Sequence, residues 1–263
     1  MYIKVTNSTN SLLREMLVSG QWTDRNERFI RAGYQTAGRG QAGNGWESEP
    51  EKNLLFSVLL DTRHTPLQRQ FDLNVVVSVA LHRTVTTLLQ HSGLTAPRSY
   101  SEAVSIKWPN DLYFCDLKLA GILVETAISG GRIEWAIGGV GLNVNQTEWI
   151  GNAPNPTSLK RITGSEYDLE KLMEDFIASL VETEKWTHEQ LWTYYLGHLY
   201  RRDGYWPFVE REVNIVPTMN ADETVPGQFM ARIADITPDG EIVLEDKNGL
   251  TKKYHFKQIR YVV

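Results

Sequence analysis

Cysteine is almost missing from this 263-residue chain: Cys115 stands alone, so no internal disulfide can form and no cysteine-based metal site is available. No apolar run approaches the roughly 20 residues that a helix needs to span a bilayer. The opening stretch, Met1 to Met16, holds no continuous apolar segment ahead of a small-residue cleavage site, so no secretory signal is read there. Positive charge is in deficit, with 27 Lys and Arg against 32 Asp and Glu and a net charge of −5, where a nucleic-acid binder shows a basic excess. There is no internal repeat and no low-complexity tract. These absences point to a cytoplasmic protein that binds neither membrane nor nucleic acid.

What is present reads as alternating short strands and helices. Tyr2 to Val5 has strand character, and Ser8, Thr9 and Asn10 are capping types ahead of Leu12, Leu13, Met16 and Leu17 on one helical face, with Gly20 at the C-terminal end. Phe29 to Tyr34 and the apolar run Asn53 to Leu60 are further strands, and Asp72 to Gln90 has helical spacing closed by Gly93. Strands are predicted at Ile106 to Trp108, Leu112 to Phe114 and Leu119 to Glu125, and a Gly130-Gly131 hairpin turn leads into Ile133 to Ile137. Two helices follow, one carrying Leu169, Leu172, Met173, Phe176, Ile177 and Leu180, the other over about Glu189 to Leu199.

After Glu210 the texture changes to short strand-like runs, VNIV, QFMARIADI, EIVLED and KKYHF, broken by Pro238-Asp239-Gly240 and Asn248-Gly249. The expected architecture is therefore α+β: a central mixed, mostly antiparallel sheet with helices over 1–210, and a small β-barrel over 211–263.

Three segments carry candidate chemistry. In Gln35-Thr36-Ala37-Gly38-Arg39-Gly40-Gln41-Ala42-Gly43-Asn44-Gly45-Trp46 the glycines let the backbone approach a ligand, its N–H groups can cradle a phosphate, and Arg39 adds a bidentate donor. Trp46 offers a face for a purine. A flexible surface loop with an incidental arginine explains the same residues equally well. In Ile106-Lys107-Trp108-Pro109-Asn110-Asp111 and Lys118 to Glu125, two lysines among apolar residues call for an anion; alternatively, Asn110 and Asp111 are turn formers and Lys118 is exposed. In Gly138-Gly139-Val140-Gly141-Leu142-Asn143-Val144-Asn145, the glycines imply a bulge or a close ligand approach, with Asn143 then able to hold a ribose or a phosphate oxygen, or else a plain turn.

GRGxxGxxW, KWPND with KxxGILxE, and GxGxN, in this order and at these separations, resemble the signature set of biotin protein ligases, and Ser8-Thr9-Asn10 is similar to that family's S-T-N segment. The resemblance covers about residues 8 to 145. It implies a class II synthetase-like catalytic fold, a small SH3-like C-terminal domain, and two-step chemistry. Biotin and ATP give biotinyl-5′-adenylate, and a lysine of a biotin carboxyl carrier domain then takes the biotin. It implies Ser8, Thr9 and Gln35 at the ureido ring, and Gly38, Arg39, Gly121 and Gly139 close to biotin or its carboxylate. Lys118 would contact carboxylate and α-phosphate. Lys107, Asn110 and Asn143 would lie around phosphates and ribose, with Trp46 near the adenine. Arg39, Lys107 and Lys118 would offset anion repulsion, with Mg²⁺ on the phosphates, and Asp111 is the nearest group to assist proton loss from the acceptor lysine.

Two departures from the pattern matter. Many members read GRGRxGRxW, whereas Gln41 and Asn44 stand at the later arginine positions, so faster leakage of the adenylate is expected. The S-T-N segment begins at residue 8, which leaves no room ahead of it for the helix-turn-helix domain of the repressor forms. The lipoate or octanoate ligases share the fold, but their arginine pair leading into a G-G-x-V-x-H segment is not found. A non-catalytic biotin or nucleotide module is the reading from another class, and the pairing of Lys107 with Lys118 argues against it. The family occurs as monomers and homodimers.

Overall fold

The computed structural model describes residues 1–22, 28–93, 103–151, 155–210 and 227–262. The VNIV run lies outside the described residues. Each apolar pattern finds its cover. The run Leu54–Leu59 (β3) is buried along nearly its whole length because helices lie on both faces. On one side is α1 (Thr9–Val18), and on the other α4 (Leu169–Thr183), where Phe176 meets Phe56 at 4.7 Å between ring centroids. Helix α2 (Asp72–Gln90) takes the predicted bounds and buries Leu73, Val77, Leu81, Val85 and Leu89 against the sheet and α4.

The large sheet has seven strands in the order β1-β2-β3-β7-β6-β5-β4. β1 (Tyr2–Thr6) and β2 (Phe29–Gln35) pair in parallel, and the remaining neighbours are antiparallel. At its centre β6 (Leu117–Ser129) and β7 (Arg132–Leu142) form a long hairpin, with the turn at Gly130 and Gly131 both at positive φ.

β7 outruns the predicted Ile133 to Ile137. Its glycines do not break the strand, because β3 and β6 pair with it on both sides throughout. What they provide is close approach: a Cβ at Gly138 would press on Val77 and Val58, one at Gly139 would strike Asn10, and one at Gly141 would strike Trp46. β4 (Val104–Lys107) ends one residue before the expected limit, and Trp108 leaves the strand into a turn with a cis bond to Pro109 before β5 (Asp111–Phe114).

A second sheet, antiparallel and five-stranded, runs β11-β10-β9-β8-β12. Its first strand is β8 (Trp206–Glu210), just ahead of residue 210, followed by β9 (Gln228–Ile236), β10 (Ile242–Asp246), β11 (Thr251–Tyr254) and β12 (Ile259–Tyr261). Between the sheets lie α3 (Leu159–Thr163), α4 and α5 (His188–Gly197). The apolar core is continuous from one sheet to the other through Tyr200, Tyr261 and Phe208. Polar ties reinforce that seam: Trp108 Nε1 donates to the Gly240 carbonyl at 2.9 Å, and Arg201 donates to the Val262 carbonyl at 2.6 Å. Among the described residues no helix is long and apolar enough to cross a membrane.

Candidate active site

A cleft of about 210 Å³ opens over the β6–β7 face and gathers residues from all three motifs. Ser8, Thr9, Gln35, Arg39, Trp46, Asn110, Asp111, Lys118, Gly121 and Gly139, each singled out from sequence, all line it. Gly38, Lys107 and Asn143 do not.

One end is neutral and buried. Ser8 takes the N-cap position of α1, but its side chain accepts no capping bond. Gln35 takes that part from the neighbouring strand: the Thr9 amide donates to Gln35 Oε1 at 2.7 Å, and the Thr9 hydroxyl donates to the same oxygen at 3.1 Å. Ser8, Thr9 and Asn10 all line the cleft. Ser57 Oγ, wholly buried in β3, lies 2.7 Å from Thr9 Oγ1 and 2.5 Å from Asn10 Oδ1. Asn10 Nδ2 donates to the Leu123 carbonyl and to Glu125. Every member of this network is held by another, which fixes rotamers in advance of any ligand.

The floor is glycine. Gly121 and Gly141 are cross-strand partners, and the Trp46 ring lies so close above both that a Cβ on either would clash. The glycine-rich segment is a closed hairpin: Gly40 donates to the Asn44 carbonyl, Trp46 donates to the Gly38 carbonyl, and Gln41–Gly43 forms a 3₁₀ turn with Gly43 at φ +85°. Gly38 sits at its neck, where a Cβ would come within 2.6 Å of the Trp46 carbonyl. The indole Nε1 of Trp46 is buried without a partner.

The other end is charged. Lys118 Nζ meets Asp111 Oδ1 at 2.7 Å, and Arg39 meets Glu125 at 2.7 Å while also donating to Ser11. Both cations are thus already offset by carboxylates of the chain. Asn110 exchanges hydrogen bonds with Ile122, fixing the turn against β6. Among the described residues no group of three or more His, Cys, Asp or Glu side chains could hold a metal ion.

Two assigned residues lie behind the cleft. Lys107 donates to the Tyr113 hydroxyl at 2.7 Å and lies over the Tyr113 and Tyr261 rings. Burial pushes its ammonium down to about 8, with Asp111 opposing the fall and Lys118 and Arg201 adding to it. Asn143 is 2% exposed and donates to the Thr157 carbonyl; that segment in turn pairs with the backbone of Lys118. It braces the start of β6. His82 and His198, which belong to no motif, pack against each other away from the cleft.

Sequence reasoning passed over Asn10, Ser57, Glu125, Phe256 and Lys257. Ser57 left one signal, a hydroxyl inside an otherwise apolar strand, and Asn10 left another as the third member of S-T-N. Phe256 and Lys257 line the cleft from the turn between β11 and β12 and left none.

A family model described as the biotin/lipoate A/B protein ligase family matches residues 2–143. The chain is 27% identical over 235 residues to the bifunctional ligase/repressor BirA of Bacillus spizizenii, a match covering 86% of this chain and 64% of that protein. It is 33% identical over 141 residues to a biotin–[acetyl-CoA-carboxylase] ligase of Mycobacterium tuberculosis, covering 54% of this chain and 47% of that protein. The chain therefore matches less than two thirds of the length of these relatives. Its fold is similar to that of the Aquifex aeolicus biotin protein ligase solved with biotin and ATP, with a TM-score of 0.72, 21% identity, and coverage of 100% and 98% of the two chains. A family match over more than half of the chain, with the glycine floor of the cleft inside the matched stretch, settles the assignment: the protein belongs to the biotin/lipoate A/B protein ligase family.

Proposed function

We propose that this family member is an ATP-dependent biotin protein ligase. The observation that carries the reading is the composition of one cleft. A neutral end built from Ser8, Thr9 and Gln35 suits a ureido ring, and an end holding Arg39, Lys118 and Asn110 suits a carboxylate beside a phosphate. The names of its relatives support the choice of biotin and of ATP.

In the first step a biotin carboxylate oxygen attacks the α-phosphorus of ATP, and the bond to pyrophosphate breaks. In the second, a carrier lysine attacks the acyl carbon, the bond to AMP breaks, and the ammonium proton leaves. Neither step requires the protein to form a covalent bond, so positioning and charge stabilisation supply the rate. Lys118 bridges carboxylate and α-phosphate, and Arg39 lies over them. Lys107 adds its charge from behind Asp111 and Lys118, Asn143 braces the strand that bears Lys118, and Trp46 flanks the adenine. Gly121 and Gly139 let Trp46 and Asn10 lie against the floor of the cleft beside the substrates, and Gly38 lets the neck of the loop close. Asp111, once released from Lys118, is the group to take the acceptor's proton.

Mg²⁺ would be carried mainly by the phosphates. Asp111, the one carboxylate lining the cleft among the described residues, is held by Lys118. The acceptor is a lysine of a biotin carboxyl carrier domain, and the enzyme acts in the cytoplasm as a monomer or homodimer.

ATP–pyrophosphate exchange is the test. Exchange that depends on biotin and is absent with lipoate is the expected result. Exchange driven by lipoate would reassign the substrate to the other branch of the family. Binding of biotin with no exchange at all would make the chain a non-catalytic module.

A further inference from the structure

Ser57 is a fully buried hydroxyl in the otherwise apolar strand β3, where an unpaired hydroxyl would be costly. Its two partners are Thr9 Oγ1 at 2.7 Å and Asn10 Oδ1 at 2.5 Å; both belong to α1, and both residues line the cleft. A serine hydroxyl carries a single proton, so it can donate in only one of these contacts. Asn10 decides which. Its Nδ2 faces the Leu123 carbonyl at 3.1 Å and Glu125 Oε2 at 2.8 Å, groups that can only accept, and Arg39 holds the other oxygen of Glu125 at 2.7 Å. The Asn10 amide oxygen is thereby turned to Ser57. It too can only accept, so the Ser57 proton goes to Asn10.

The rest follows from where protons remain. Two oxygens 2.7 Å apart need a proton between them, and Ser57 has none left for Thr9. The Thr9 hydroxyl must supply it, sharing its proton between Ser57 Oγ and Gln35 Oε1, the latter at 3.1 Å. Toward a ligand, Thr9 is left with lone pairs alone. Gln35 Oε1 is also taken by the Thr9 amide at 2.7 Å, so what Gln35 has left to offer is its Nε2 donor. An acceptor beside a donor is the complement of an N–H beside a carbonyl, a pair that a ureido ring has and a dithiolane ring lacks.

We propose that Ser57 is a positioning residue that holds Thr9 as a hydrogen-bond acceptor toward the bound ring, with the direction set at Glu125 and relayed through Asn10. The proposal rests on the reading of this end of the cleft as the seat of a ureido ring. Reversing any one bond of the relay would leave two acceptors or two donors face to face in a buried site, so the chain of bonds runs one way only. Selectivity for a ring N–H is then set in part by Ser57 and Glu125, neither of which lines the cleft.

The test is calorimetric titration of the full chain with biotin and with cyclic carbamate analogues in which one or the other ureido N–H is replaced by a ring oxygen. In the wild type, the analogue that sets oxygen against Thr9 should bind at least about tenfold more weakly than biotin. Ser57→Ala frees the Thr9 proton to turn to that oxygen, so biotin affinity should fall and the ratio of biotin to analogue affinity should shrink to about threefold or less. Asn10→Ala should shrink it as well, because the Ser57 proton is then released toward Thr9, and it reads the same relay if Ser57→Ala does not fold. Ser57→Thr, which keeps the hydroxyl, should keep the wild-type ratio. A ratio that stays fixed in the alanine variants while both ligands weaken alike makes the network merely structural and overturns the proposal, as does a wild type that binds biotin and both analogues equally. Those outcomes leave the biotin reading standing; a wild type that does not bind biotin overturns both.

Discussion

The two ends of the cleft are built on opposite principles. At the neutral end, Thr9, Asn10 and Ser57 are buried and Gln35 half-buried, and all four are already bonded to one another, so a ligand meets donors and acceptors whose positions are set. At the charged end, Lys118 and Arg39 are bonded to Asp111 and Glu125, partners that a substrate anion must replace. The first end selects by shape and hydrogen-bond pattern. The second is an ion exchanger, in which the cost of removing an internal carboxylate is set against the gain from a phosphate or carboxylate in a half-buried site. Substitutions at the charged end should therefore act on the chemistry, and those at the neutral end on which molecule is held.

The largest effect is expected at Lys118. Lys118→Ala removes the cation assigned to carboxylate and α-phosphate and leaves Asp111 facing the incoming anions. Adenylate formation should fall on the order of 10²- to 10³-fold, measured by pyrophosphate exchange. Adding Asp111→Asn to that variant should recover part of the loss in ligand affinity, because the stranded negative charge is gone. No recovery would mean that the pair is not exchanged on binding.

Asp111→Asn alone separates the two half-reactions. Lys118 is then free in advance, so adenylate synthesis should be little affected. Transfer of biotin from preformed adenylate to a carrier lysine should slow by about 10- to 100-fold, the range of a lost general base. Equal slowing of both steps would remove Asp111 from the proton-transfer role.

The neutral end is probed through its floor. Gly139→Ala places a Cβ 2.2 Å from Asn10 Oδ1, so Asn10 must leave its bonds to Leu123 and Glu125. Two or three hydrogen bonds of about 1 kcal/mol each are at stake, and the KM for biotin should rise about tenfold or more while the KM for ATP moves little. A matched rise in both would show that the two ends are not independent.

How much of this was legible beforehand follows from how local each feature is. α2 could be read to both bounds because its apolar spacing is long and Gly93 ends it. The motifs could be read because residues 35–46, 106–125 and 138–145 each carry their chemistry within one segment. The wiring was not legible. Glu125 reaches Arg39 only through the register of β6 beside β7 and the fold of the loop, and Ser57 reaches Thr9 only once α1 lies across β3. Gln35 capping α1 depends on the parallel pairing of β1 with β2. The glycines of β7 were read as a bulge, a close ligand approach or a plain turn; the strand pairs regularly through them, and what lies close is the chain's own Asn10, Val77 and Trp46. Asn143, read as a ligand contact, is drawn into the core by the Thr157 carbonyl, a partner 14 residues on.

The smallest effect concerns Lys107, which belongs to neither end and joins them to the C-terminal sheet. Its ammonium is pushed from an ordinary 10.5 down to about 8, chiefly by burial among Tyr113 and Tyr261. Between those two values the unfolded chain keeps the proton and the folded chain has released it. Stability therefore rises with pH across that window, because the unfolded state binds more protons, and below about 8 the charged, partly desolvated ammonium destabilises the fold in full. One site can contribute a slope of at most about 1.4 kcal/mol per pH unit, and water at this half-buried seam reduces it. Denaturant unfolding of the wild type and of Lys107→Met from pH 7.5 to 10.5 reads the difference. The variant should be relatively more stable at the low end and lose that advantage as pH rises, because burying a methionine carries no ionisation cost. Parallel curves would show that Lys107 is solvated through the seam, and would remove it from the set of charges that Asp111 and Lys118 feel.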